Sequence, residues 1–102
     1  MAPQHTEALW NSVAEVQQDF IVPNRLGFHA RVAAKIVKVA TQFQADVLIV
    51  KDQTVVNGKS ILDILSLECP RGTRVKIISR GDDAEEALQA LAHLFQCNFG
   101  ET

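Results

Sequence analysis

The chain is poor in several features that mark whole classes of protein. Only 2 cysteines, Cys69 and Cys97, occur among 102 residues. That is too few for a disulfide framework and fits reduced thiols, so a cytoplasmic setting is expected. No apolar run approaches the roughly 20 residues that span a bilayer, and membrane insertion is not expected. The opening MAPQHTEALWNS lacks the basic start and apolar centre of a secretory signal. There is no basic excess: the formal net charge is −2, which argues against a dedicated nucleic-acid binder. No GxxxxGK[ST] phosphate loop occurs, so ATP is not an expected ligand. His5, His29 and His93, even with the two cysteines, give no metal-ligand spacing. Neither a metal nor a cofactor is expected, and there is no internal repeat or low-complexity tract.

The composition that remains, 47% hydrophobic and 22% charged, is that of one globular domain. Residues 1–12 show no clear period and read as an N-terminal extension, in which Ala8, Leu9 and Trp10 could form a short helical turn; the domain is expected over 13–102. VAEVQQDFIV ends as a strand that closes at Pro23. In ARVAAKIVKVATQFQ, the residues Val32, Ala33, Ile36, Val37, Ala40 and Phe43 recur at helical spacing, with Lys35, Lys38 and Gln42 on the other face. ADVLIVKD and QTVVNG read as a hairpin turning at Asp52–Gln53. Ser60 opens a short helix, SILDILSL, with Asp63 as a variant capping-box partner. TRVKIISR alternates as a half-buried strand does. AEEALQALAHLF is a last helix, with Glu85 expected to complete a second capping box and Glu86 beside it. This order of elements predicts an α+β fold, one sheet with helices on one face.

The chemistry concentrates in NRLGFHAR, residues 24–31. His29 stands where a helix begins, so unpaired N–H groups and the positive end of the helix dipole lie beside it and form an anion site. Arg31 can bring a forked guanidinium to the same anion. A neutral imidazole next to such a pocket suits transient phosphorylation of a ring nitrogen. Gly27 is expected to let the backbone approach an incoming group. The plain alternative is that His29 does no more than start a helix. His93 is expected on the outer face of the last helix. Without an ATP site, the phosphoryl group would come from another protein.

These residues resemble the histidine-containing phosphocarrier (HPr) family of the bacterial phosphoenolpyruvate-dependent phosphotransferase system. The resemblance rests on Gly27-Phe28-His29-Ala30-Arg31, opening a helix after a strand, and on NGKSILDILSL at residues 57–67. It covers residues 14–99. It implies an open-faced β-sandwich: four antiparallel strands in the order 1-4-2-3, covered on one face by three helices. It also implies His29 as the phosphoryl acceptor, loaded on Nδ1 by enzyme I, with Arg31 and the backbone of Ala30 and Arg31 holding the phosphate. EIIA-type proteins are the implied acceptors, in sugar transport, and the protein is expected to be a monomeric carrier without independent turnover. NRLGFHAR and ALAHLFQCNFGE are similar to the nitrogen-related branch (NPr), whereas NGKSI looks more like sugar-branch substrates of HPr kinase/phosphorylase. The chain departs from the family at Val32, where proline is usual.

By the same resemblance Ser60 is a candidate regulatory phosphorylation site; from the residues alone it is an N-cap. Phe28, Ala34, Ile61, Leu62 and Leu65, with Lys38, are expected to form an exposed apolar patch ringed by Arg and Lys for docking partners. Two other readings stand beside the carrier: a regulatory protein of the same fold acting through Ser60, and an α+β module holding a small ligand in an apolar cleft on the open sheet face.

Overall fold

The alternating strand residues and the two helical stripes leave one apolar surface on each element, and the fold brings these surfaces together. The computed structural model describes residues 14–101. In chain order it has β1 (Glu15–Ile21), α1 (Ala30–Ala40), β2 (Asp46–Lys51), β3 (Thr54–Asn57), α2 (Ile61–Ser66), β4 (Arg74–Arg80), α3 (Ala84–Gln96) and a 3₁₀ turn, Asn98–Gly100. The expected short turn at Ala8–Trp10 lies outside the described residues.

All three strand pairings are antiparallel, and the sheet order is β1-β4-β2-β3. β4 is central: Glu15 of β1 and Asp46 of β2 both stand opposite Arg80. Its alternation sorts the faces, with Val75, Ile77 and Ser79 buried under the helices and Arg74 and Arg80 exposed. Val47 and Ile49 of β2 join them, and Val32, Ala33, Ile36 and Ala40 of α1 complete the core with Ile64 and Leu91. The three α-helices cover this one face, as expected.

Two local expectations fail. The stripe of α1 runs to Phe43, yet the helix ends at Ala40, with the Thr41 N–H and Oγ1 both donating to Val37 O. Beyond it, the amides of Gln44 and Ala45 donate to the Asp83 carboxylate at 2.9 and 2.7 Å. Asp83 is the N-cap of α3 but makes no side-chain cap there, so the capping box expected with Glu85 does not form. The carboxylate is used to tie two connections together, and these bonds, led by that from Gln44, hold it below the usual carboxylate range. At α2, Ser60 Oγ does accept from the Asp63 N–H at 3.2 Å. The Asp63 carboxylate accepts from the Asn57 N–H instead of reaching back to Ser60.

Candidate functional site

Between β1 and α1 the chain makes a turn built from its own polar groups. Asn24 is fully buried, and its Nδ2 donates to the Gly27 carbonyl at 2.7 Å. The Gly27 N–H donates back to Asn24 O at 3.1 Å. The next two amides are also bound, Phe28 N–H to Cys69 O and His29 N–H to Gly27 O, each at 2.9 Å. A side-chain amide that bonds its own backbone two or three residues on is a turn-forming device. Here it fixes the residue before the helix start.

Gly27 has φ +70°, and a Cβ there would run into the Cys69 carbonyl and lie 2.9 Å from Pro70 Cα. The glycine is therefore required by the close approach of the chain to itself. This corrects the expectation that it clears space for an incoming group.

His29 is the N-cap of α1 in extended conformation (φ −87°, ψ 177°), and its carbonyl accepts from the Ala33 N–H. Its side chain makes no cap bond. The ring is thus not spent on starting the helix. Among the described residues, the amides of Ala30, Arg31 and Val32 have no backbone acceptor. Val32 itself is buried in the core, and where a proline would have no N–H it supplies a third donor.

The ring faces a carboxylate. Glu101 Oε1 lies 3.3 Å from His29 Nε2 and accepts from Arg31 Nη2 at 2.6 Å, while Oε2 accepts from Arg31 Nε at 2.9 Å. Lys35 Nζ donates to Oε2 at 3.0 Å and to the Phe99 carbonyl at 2.7 Å. Hydrogen bonds from Arg31 and then Lys35 hold Glu101 far below the usual carboxylate range, against the opposing effect of burial. The same contact raises Arg31. An ionised carboxylate only accepts, so Nε2 is the donor in this pair. In a neutral ring the free lone pair is then on Nδ1.

The other expected residues are placed as follows. Ala30, Ala34 and Lys38 are exposed on α1; Ile61 and Leu62 are exposed on α2, Leu62 by 79%, and Leu65 is half-buried. Phe28 is not part of that surface. It is 5% exposed and packs edge-on against Phe95 and Phe99, with ring centroids 6.1 and 5.9 Å away. The turn bonds turn it inward while the next residue faces out. Ile21 and Leu26, exposed by 51% and 56%, were not singled out by periodicity because they lie at a strand end and in a turn. Ser60 is half-buried. Lys35 is not a free cation for partners, being held by Glu101 and Phe99. Sequence reasoning missed Glu101 altogether: it stands 72 positions from His29, and no pattern links them.

Other reactive groups are accounted for. Burial pushes the Cys69 thiol up and away from the thiolate. His93 is exposed, with Nε2 3.3 Å from Cys97 Sγ. Among the described residues no group of three or more His, Cys, Asp or Glu could hold a metal, and no helix is long and apolar enough to cross a membrane. The open sheet face has a shallow depression, but Glu15, Asp46, Asn57 and Arg80 line it together with Leu48 and Ile78. Charged and apolar side chains share it, Val47 among them.

The family model for the PTS HPr component phosphorylation site matches residues 16–96. The phosphocarrier protein HPr of Neisseria meningitidis serogroup A is 37% identical over 86 residues, covering 84% of this chain and 97% of that protein. The phosphocarrier protein NPr of Shewanella violacea is 32% identical over 89 residues, covering 87% and 98%. Among solved structures, HPr-C-His from Thermoanaerobacter tengcongensis superposes with a TM-score of 0.82 at 40% identity, over 85% of this chain and 98% of that one.

Proposed function

Since the chain belongs to the HPr family of phosphotransferase-system phosphocarriers, we propose that it takes a phosphoryl group from phosphorylated enzyme I on Nδ1 of His29 and passes it to an EIIA-type acceptor. The observation that carries this reading is the placement of His29: an N-cap whose side chain is free of capping, beside three unbonded amides and Arg31. The Nδ1 lone pair attacks phosphorus while the bond from phosphorus to the donor breaks. The ring proton stays on Nε2, which donates a hydrogen bond to the Glu101 carboxylate. The amides of Ala30 and Arg31 and the Arg31 guanidinium receive the phosphoryl oxygens. The protein ends each half of the cycle unchanged apart from the group it carries, so it has no turnover alone.

Regulation through Ser60 forms part of the same proposal. Its hydroxyl caps α2 directly before the exposed Ile61 and Leu62. A phosphate there brings up to about two negative charges next to Asp63 and to an apolar docking surface. HPr kinase/phosphorylase is the partner this reading calls for. A purely regulatory protein would have no use for the arrangement of His29 and Arg31.

The decisive measurement incubates the protein with enzyme I and phosphoenolpyruvate labelled in the phosphoryl group. Acid-labile, base-stable label is expected on the wild type and absent from His29→Ala. An unlabelled wild type in the presence of a competent enzyme I refutes the proposal.

A further inference from the structure

The three amides at the start of α1 are not alike. Ala30 and Arg31 are exposed, so water can take their N–H groups in the unloaded protein. Val32 is 0% exposed, and its N–H has no backbone acceptor among the described residues. Solvent does not reach it. Nearly every buried backbone N–H of a folded protein is paired, because an unpaired one costs about as much as a lost hydrogen bond. A donor left in this condition calls for an acceptor that arrives later.

Position within the helix shows where that acceptor comes from. With His29 as N-cap, Val32 stands third in the helix, and an N-cap side chain ordinarily accepts from the second or third amide. The start of α2 makes this bond: Ser60 Oγ accepts from the N–H of Asp63, the third residue there. The His29 side chain makes no such bond. A phosphoryl group on Nδ1 gives the same side chain three acceptor oxygens.

We propose that the Val32 N–H is a third backbone donor to the phosphoryl group, so that loading His29 completes the cap that α1 lacks. This rests on the phosphocarrier reading above. Proline, usual in the family at this position, has no N–H to give. Valine here therefore adds a contact to the loaded state. The positive end of the helix dipole favours the anion, and a bond to an ionised acceptor is stronger than a neutral one. Ala30 and Arg31 must release water to bind the group, whereas the Val32 N–H has nothing to release. Its bond acts in full on the balance between loaded and unloaded protein. The chain holds its phosphoryl group more firmly than it would with proline, and passes it on less favourably.

The test compares wild type, Val32→Pro and Val32→Ala in phosphoryl exchange with enzyme I at equilibrium, at a temperature where all three are folded. It also follows the Val32 amide of the wild type by NMR before and after loading, which needs no substitution. Val32→Pro removes the donor, and its equilibrium constant for loading is expected to fall roughly tenfold, the scale of one hydrogen bond to a charged group. Val32→Ala trims the buried side chain but keeps the donor, and is expected to recover most of that loss. The Val32 amide proton of the wild type is expected to move downfield on loading. A wild type that loads while Val32→Pro loads equally or better overturns the inference and leaves the carrier function standing. Val32→Ala losing as much as Val32→Pro assigns the effect to packing and also overturns it. So does a Val32 amide signal that stays in place on loading. A wild type that takes no label removes both.

Discussion

A single absent Cβ decides where His29 sits. Gly27 combines a left-handed backbone with direct contact against Cys69 and Pro70, so the turn from β1 to α1 tolerates no side chain at that point. Gly27→Ala is expected to cost more than about 3 kcal/mol, since an alanine pays the left-handed penalty and also pushes on backbone that cannot yield. Urea unfolding of the variant measures it, and a loss under about 1 kcal/mol contradicts the account. How much of the site was legible follows from the range of each interaction. His29, Ala30 and Arg31 act through a local helix start, and a local pattern displays them. Lys35 and Glu101 act through contacts that exist only after folding, and composition or spacing gives no sign of them.

Helix starts carry the next level of control. At α2 the hydroxyl of Ser60 does the capping that its sequence suggests, and an aspartate can take over that bond. Ser60→Asp should therefore shift the melting temperature little. It should slow loading by enzyme I severalfold, because it places a charge beside Ile61 and Leu62; equal loading rates would sink the regulatory reading. At α3 a capping box completed by Glu85 is expected and does not form: the N-cap is Asp83, whose carboxylate accepts from the amides of Gln44 and Ala45 instead. Sequence shows that a residue has capping chemistry without showing which donors compete for it. The pH dependence follows from the lowered Asp83 carboxyl. A group depressed on folding stabilises above its unfolded pKa of about 3.9, and that contribution is lost as pH falls through the lower folded value. Asp83→Asn should melt below the wild type at pH 7, with the gap closing under strong acid. Thermal melts across that range decide it, and a gap independent of pH would contradict the assignment.

At the scale of the molecule, the apolar periods alone predicted the elements and the single covered face, because burial on one side writes itself into each element separately. Strand order does not, since an apolar face on each strand leaves open which strands pair; the order is what the resemblance implies, and the structure agrees with it. The aromatic cluster is likewise a product of the whole. Phe95 of α3 stacks on Phe20 of β1 with centroids 4.3 Å apart, and meets Phe28 and Phe99 edge-on. One side chain thus backs the sheet, the turn before His29 and the anchor of Glu101 together. Truncating a buried phenylalanine costs about 3–5 kcal/mol, against a total of roughly 5–15 kcal/mol for a domain. Phe95→Ala should lose stability on that scale in urea. It should also load more slowly than the wild type at low temperature, where both are folded, because Phe28 and Phe99 lose the surface that orients their neighbours. Ile49→Val, buried in β2, is the control: a loss of about 0.5–1.5 kcal/mol is expected, with loading unchanged. If both variants load at the wild-type rate, the cluster holds the fold without positioning the site.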